Sequence, residues 1–278
     1  MWLCAGDTPL SDFLAPRACA LVPTMGALHP GHAALIRRAA DHANAAGLPA
    51  GAVVTIFVNP TQFDDPADFA RYARTLPEDL ELCRNAGAAG VFAPSPERVY
   101  PPESTIPVPA LATQAIAKGL EDTHRPGHFA GVCQVVRRLF DLTSPHAAVF
   151  GEKDWQQLQV IRAMTSRDRL GVEIIPAPTI REPDGLAMSS RNRFLTPPER
   201  RTALALRRAL DAAREHPTPD AGEAAMRRVL EQAPVDRIDY ATIRDAETLD
   251  APTPGRPARA LITARVGTVR LLDNAPWP

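Results

Sequence analysis

Short apolar runs alternate with longer amphipathic stretches through the first two-thirds of this chain, and that alternation limits the fold more than any other feature. The strand-like runs are Ala18–Val22, Ala52–Val58, Gly90–Ala93, Ala147–Phe150 and Val172–Pro176. Helical patterns lie between and after them, at Ala33–Ala46, Pro77–Ala86, Phe129–Leu142 and Trp155–Arg167. Strands that alternate with helices are joined most simply as parallel neighbours with helical crossovers, so the pattern predicts an α/β fold with a parallel sheet covered by helices. Ligands of such sheets bind beyond the carboxyl ends of the strands. His29, Asn59 and Lys153 each follow a predicted strand and are therefore candidates for one shared cleft.

The texture changes after about Pro178. Pro183-Asp184-Gly185 is a turn signal. Thr196-Pro197-Pro198-Glu199 reads as a capping box opening a helix that runs to about Glu215. A second helix is expected over Ala221–Gln232, then strands at Ile238–Arg244, Ala258–Val266 and Thr268–Leu272. The division predicted is residues 1–179 for the parallel sheet and 180–278 for a smaller α+β domain.

The densest cluster of chemistry follows the first predicted strand, in Met25-Gly26-Ala27-Leu28-His29-Pro30-Gly31-His32. The order strand, loop, His-x-Gly-His, helix places two imidazoles at the mouth of a helix. Free backbone N–H groups and the positive end of the helix dipole suit phosphate there. Pro30 fits the first helical turn, and Gly31 lets the backbone approach an anion. His29 and His32, three apart, can face the same way. By itself the string fits two surface histidines near a turn equally well.

Four further clusters add to it. Asn59-Pro60-Thr61-Gln62 offers amides that both donate and accept, suited to a substrate bearing a hydroxyl and a carboxylate. Gly151-Glu152-Lys153-Asp154 ends a strand; Asp154 is placed to cap the next helix, and Lys153 to act as a phosphate-binding point charge, with Gln157 one turn on. Lys153 is one of only two lysines, the other being Lys118, among 31 basic residues, which suggests a site needing a compact ammonium. Met188-Ser189-Ser190-Arg191 could clamp phosphates. Arg125-Pro126-Gly127-His128 could supply a cation for a carboxylate or serve as a structural cap.

Composition excludes other classes. A net charge of −1 over 278 residues, without blocks of like charge, argues against a nucleic-acid groove or a membrane surface. No secretory signal is evident, and the apolar runs are too short to span a bilayer. The four cysteines show no metal-site spacing and read as free thiols of a reducing cytoplasm.

Taken together, Pro23-Thr24-Met25-Gly26, His29-Pro30-Gly31-His32, Phe57-Val58-Asn59-Pro60 with Gln62-Phe63, Arg125-Pro126-Gly127-His128-Phe129, Gly151-Glu152-Lys153-Asp154 and Asp184-Gly185-Leu186-Ala187-Met188-Ser189-Ser190-Arg191-Asn192 resemble the pantothenate synthetases, or pantoate–β-alanine ligases, in order and spacing. The resemblance implies a Rossmann-like N-terminal domain with helices on both faces of its sheet, a C-terminal lid, and a homodimer. It implies condensation of (R)-pantoate with β-alanine, driven by ATP with Mg²⁺, through pantoyl adenylate. By motif, Met25 to His32 (including Ala27 and Leu28), Gly151 to Asp154, Ile180 and Met188 to Arg191 would hold ATP. Gln62 and Gln157 would hold pantoate, with Asn59, Arg125 and His128 in the same subsite. Pro23, Met25, Phe63, Val132, Val135 and Val136 would wall its gem-dimethyl group. His29, His32 and Lys153 would be catalytic, as donors to the charge that develops on the phosphates. Mg²⁺ would bind mainly through phosphates and water, with Glu78 and Asp79 contributing through water. The chain departs from the family pattern at Ala73, where proline is usual, and in a short segment ahead of the first motif.

Three other readings compete. A different His-x-Gly-His adenylyl-transfer enzyme would lack the paired glutamines and the Arg125–Phe129 motif. An aminoacyl-tRNA synthetase-like protein would want a basic face. A regulatory module with a degraded nucleotide site would not keep both histidines, Lys153 and both glutamines.

Overall fold

The computed structural model describes residues 1–278 apart from Asp64, Asp65 and Gln114. Its main sheet comprises β1 (Trp2–Gly6), β2 (Cys19–Thr24), β3 (Gly51–Ile56), β4 (Gly90–Pro94), β5 (Ala147–Gly151) and β6 (Glu173–Ala177). Between them run α1 (Pro30–Ala45), α2 (Pro66–Arg71), α3 (Leu76–Asn85), α4 (Pro96–Val99), α5 (Glu121–His124), α6 (His128–Thr143) and α7 (Trp155–Arg167). The order across the sheet is β1-β4-β3-β2-β5-β6, and every neighbouring pair is parallel.

Side chains alternate across the sheet with the strand's period of two. Ala20 and Val22 of β2 pack with Ile36 and Ala39 of α1, whereas Cys19 and Leu21 join the layer built on α6 and α7. Both faces are thus covered by helices, which is why these strands read as continuous apolar runs. Strand β3 ends two residues before the predicted run. The Phe57 N–H still bonds Thr24 O at 3.0 Å, but the chain then turns away at Asn59-Pro60.

Strand β1 has no counterpart in the sequence reading. It is an edge strand of five residues, with Leu3 exposed and Cys4 buried, too brief to show a pattern. Its Trp2 indole occupies the space a side chain on Gly90 would fill, so the bare glycine of β4 makes the pairing possible.

The C-terminal part consists of α8 (Pro197–Arg214), α9 (Pro219–Gln232), β7 (Arg237–Asp245), β8 (Ala258–Val266) and β9 (Val269–Trp277). The strands form an antiparallel sheet in the order β7-β8-β9. Thr196 and Glu199 make the expected capping box, and β9 runs five residues beyond the predicted end. This sheet packs with α8 and α9 around its own core, including Leu206, Leu210, Met226 and Ile262.

A buried ionic cluster joins the two parts. Arg270 of β9 donates to both oxygens of Glu121 at 2.6 and 2.7 Å, and Tyr240 donates its hydroxyl to the same carboxylate at 2.9 Å. Burial pushes the Glu121 carboxyl up, but these donors outweigh it and hold the group at about 2. Removing either partner would leave an uncompensated buried charge, which is strongly destabilising. No helix among the described residues is long and apolar enough to cross a membrane.

Candidate active site

The strand order reverses between β2 and β5, which diverge into different halves of the sheet. Open parallel sheets leave a crevice at that point, beyond the strand ends. The loop after β2 carries the two histidines, the loop after β5 carries Lys153, and the segment 178–191 closes over them. Together they line a cavity of about 260 Å³.

The His-x-Gly-His string closes on itself. His29 is the N-cap of α1; its Nδ1 accepts the Gly31 N–H at 3.1 Å, while His32 Nδ1 accepts the His29 N–H at 3.2 Å. The N–H groups of His32 and Ala33 bond His29 O, and those of Ala27 and Leu28 bond the Asp79 carboxylate at 3.1 and 2.8 Å. The expectation of free backbone donors is therefore corrected: these N–H groups already have partners. What remains is the pair of imidazoles, centroids 4.1 Å apart. With each Nδ1 accepting, each neutral ring carries its proton on Nε2, a donor for the cavity.

Gly31 has a further role. A Cβ there would lie 2.8 Å from the His29 ring, so the glycine makes room for the capping imidazole as well as for any ligand.

Burial, reinforced by the Lys153 ammonium, lowers His29 to about 4; burial and the charges of His29 and Lys153 lower His32 to about 3. Both rings are thus neutral donors at physiological pH. The expected ¹⁵N spectrum shows two Nε2–H tautomers that do not titrate between about pH 5 and 8. A ring titrating near the ordinary histidine value would overturn the assignment. Because the folded values are depressed, these groups leave stability unchanged above 6.5. As pH falls below 6.5, the unfolded chain takes up protons that the folded one does not, and stability declines until about pH 3.

The opposite end of the cavity is apolar. Pro23 and Met25 of the β2 end meet Val132, Val135 and Val136 on one face of α6, and Phe63, edge-to-face with Tyr72 at 5.6 Å between ring centroids, adds to the wall. Gln62 stands over this end. Its Oε1 accepts from Asn59 Nδ2 at 3.1 Å and its Nε2 donates to Met25 Sδ at 3.0 Å, which leaves one amide hydrogen for a ligand. Gln157 lines the same cavity.

Asn59 borders the cavity but works for the fold. It is 1 % exposed; its Nδ2 also donates to Gly131 O, and its Oδ1 accepts from Thr61 and from the Tyr100 hydroxyl. Arg125 and His128 likewise reach the cavity wall, and both donate to the Gln62 carbonyl oxygen, at 3.3 and 3.1 Å. All three thus hydrogen-bond Gln62, Asn59 at its side-chain oxygen and the other two at its carbonyl oxygen.

Gly131 escaped the sequence reading because a glycine within a helical pattern has no local signature. Here α6 lies directly against the Gln62 loop: a Cβ on Gly131 would collide with the Thr61 carbonyl and lie 2.9 Å from the Gln62 N–H nitrogen. Gly131→Ala is expected to displace that loop and weaken binding at the apolar end of the cavity more than at the histidine end. Equal kinetics for the variant and the parent would show that the close approach is unimportant.

Lys153 lines the cavity from a tethered loop. Asn274 of β9 donates its amide to Lys153 O at 2.7 Å and to Glu152 O at 3.0 Å. Glu152 itself pairs with Arg259 at 2.8 Å, whose guanidinium stacks 3.5 Å over the Trp155 ring. Asp154 occupies the N-cap position of α7 and lines the cavity, but its side chain makes no capping bond, contrary to expectation. Ile180, Met188, Ser189, Ser190 and Arg191 line the far wall, with the Met188 N–H bonded to Ile180 O.

Several of the expected ligands are not among the residues that line this cavity. Gly26, Ala27, Leu28 and Pro30 form the turn behind the histidines, outside the cavity lining, and Glu152 faces Arg259. Glu78 borders a separate surface groove with Arg37 and Glu81. Asp79 is 2 % exposed and its two oxygens accept from Ala27, Leu28 and Thr75, so it braces the histidine loop. Neither Glu78 nor Asp79 is among the residues that line the cavity. The sequence reading also overlooked Thr179, whose buried Oγ1 borders the cavity without a partner among the described residues.

A doubly covered parallel sheet, with imidazole and ammonium donors at its switch point beside an apolar subsite, has the make-up of a nucleotide-binding α/β enzyme. The chain belongs to the pantoate–β-alanine ligase family, whose sequence profile matches residues 11–276. It is 48 % identical over 269 residues to the pantothenate synthetase of Rubrobacter xylanophilus, covering 93 % of this chain and 90 % of that one. The crystal structure of pantothenate synthetase from Thermus thermophilus aligns over 100 % of both chains with a TM-score of 0.90 and 39 % identity. A Francisella tularensis pantoate–β-alanine ligase, crystallised in complex with β,γ-ATP and β-alanine, aligns over 99 % of this chain and 97 % of its own, with a TM-score of 0.77 and 29 % identity.

Proposed function

We propose that this chain condenses (R)-pantoate with β-alanine, converting ATP to AMP and pyrophosphate through a pantoyl-adenylate intermediate. The observation that carries this reading is a single cavity joining a phosphate-facing end, lined by His29, His32 and Lys153, to an apolar end beneath Gln62. The first end suits a nucleotide, and the second an acid bearing methyl groups.

In the first step a pantoate carboxylate oxygen attacks the α-phosphorus, and the bond to pyrophosphate breaks. Negative charge grows on the transferred phosphoryl oxygens and on the leaving group. The two imidazoles are held by their capping bonds and the Lys153 backbone by Asn274, so their donors stabilise that charge with little reorganisation. Gln62 and Gln157 hold the acid, and the valines of α6 orient its gem-dimethyl group, keeping the carboxylate in line. In the second step the neutral amine of β-alanine attacks the acyl carbon, the acyl–oxygen bond to AMP breaks, AMP leaves with the oxygen that pantoate contributed, and the nitrogen releases one proton to water. No covalent enzyme nucleophile is needed.

Magnesium enters as the ATP complex, held through phosphates and water; the bonding of Asp79 and the placement of Glu78 fit that arrangement better than direct ligation. The orphan Thr179 hydroxyl, on the cavity wall, is a further donor for the nucleotide. Residues 180–278 are read as a lid over the 1–179 domain, tethered through Asn274. A homodimer follows from the family likeness, and four unpaired buried cysteines support a cytoplasmic setting.

Pantoate labelled with ¹⁸O in its carboxylate should deliver one label to AMP, and ATP should yield only AMP and pyrophosphate. Formation of ADP with labelled orthophosphate would indicate an acyl phosphate instead and overturn the mechanism.

A further inference from the structure

At the end of the sheet opposite the cleft, three side chains from three elements converge. His42 comes from the last turn of α1, His146 immediately precedes β5, and Glu173 opens β6. One ligand atom from each lies within 4.8 Å of the others. The two rings stack with centroids 6.3 Å apart, and His42 Nε2 lies 3.7 Å from Glu173 Oε2, too far for a hydrogen bond. His42 Nε2 is buried and has no hydrogen-bond partner among the described residues. A buried donor or acceptor left unpaired costs free energy, so an orphan nitrogen aimed at a second imidazole and a carboxylate calls for something to bind.

We propose that His42, His146 and Glu173 form a binding site for a divalent transition-metal ion, of which zinc is the best match. Two imidazoles and one carboxylate are the donor set of borderline ions; magnesium and calcium prefer oxygen ligands alone. Zinc takes nitrogen and oxygen ligands at about 2.0–2.2 Å, which sets tetrahedral ligand atoms roughly 3.4 Å apart. The His42–Glu173 separation is close to that, and the Glu173 side chain, 59 % exposed, is free to rotate inward. A water would complete the shell.

The present occupant of one ligand position is Arg17, an exposed residue whose guanidinium donates to His146 Nδ1 at 3.3 Å. Coordination through Nδ1 displaces that contact directly. Coordination through Nε2 moves the ring proton to Nδ1, which then repels the same donor. Arg17 therefore competes with the metal by either route.

The site is remote from the chemistry. His42 lies twelve residues along α1 from Pro30, about 18 Å at 1.5 Å per residue. His146 stands one strand's length, about 16 Å, from Gly151. The bound metal would tie the C-terminal end of α1 to the first residues of β5 and β6, acting as a clip on the fold.

The test is titration of the chelator-treated full chain with Co²⁺ and Zn²⁺, read by Co²⁺ absorption and by thermal unfolding. The parent should bind one equivalent with the spectrum of a four-coordinate nitrogen–oxygen site and gain thermal stability. His42→Ala and His146→Ala should lose that equivalent, Glu173→Gln should weaken it at least tenfold, and Arg17→Ala should tighten it. His29→Asn, which alters the cleft, should leave it unchanged. Equal binding by the parent and both alanine variants, or no binding by the parent at millimolar metal, would overturn the proposal. So would loss of the equivalent in His29→Asn with retention in His42→Ala, because the metal would then belong to the cleft.

Discussion

Replacing His29 with asparagine is expected to leave the protein folded and α1 capped, yet to slow pantoyl-adenylate formation by ~10²–10³, the usual loss for one fixed donor to a developing charge. The substitution separates two roles that the imidazole combines. Its Nδ1 caps the helix by accepting the Gly31 N–H, and its Nε2 presents a proton to the cavity. Asparagine is among the best N-cap residues, and its oxygen can accept from the same first-turn amides. It does not reach the position of Nε2. The urea midpoint should therefore stay near that of the parent, whereas His29→Ala should lose about 1 kcal/mol with the cap. Pyrophosphate release by His29→Asn at the parent's rate would mean that the ring is structural only, and the adenylation site would have to be sought elsewhere in the cavity.

The same residue marks how far the sequence could be read. Alternating runs predicted the parallel sheet and its helical layers, because both faces of each strand are buried and few polar residues interrupt them. The His-x-Gly-His string does open a helix, α1. It suggested open backbone N–H groups, since the mutual capping of His29 and His32 depends on rotamers that no spacing rule encodes. Asp79 was beyond reach for a related reason: its role is set by a loop 51 residues earlier in the chain. Asn59 and Arg125 read as ligands because their side chains suit small acids; both line the cavity, and the structure adds their hydrogen bonds to Gln62, which no local pattern encodes. Gly131 and Thr179 lacked any pattern, one being a helix glycine and the other a loop hydroxyl. Strand β1 was missed because an edge strand of five residues shows little periodicity.

Lys153 offers the second large effect. Lys153→Ala is expected to reduce adenylation by at least ~10², and Lys153→Arg to recover only a small part of that loss. Two features limit the rescue. The backbone from which the side chain springs is fixed, since Asn274 holds the carbonyls of both Glu152 and Lys153. A longer side chain therefore cannot retreat by shifting its base. The ammonium also shares a confined space with His29, whose acid strength already registers its charge. A planar guanidinium of greater length would have to displace that imidazole or point past the phosphates. Asn274→Ala provides the complementary case: it retains the charge but frees the loop, so activity should fall less than in Lys153→Ala, with the ATP requirement rising. Pyrophosphate exchange measured across ATP concentrations separates these outcomes. If Lys153→Arg matches the parent in both rate and ATP requirement, any cation at this position suffices, and the rarity of lysine in this arginine-rich chain carries no chemical meaning.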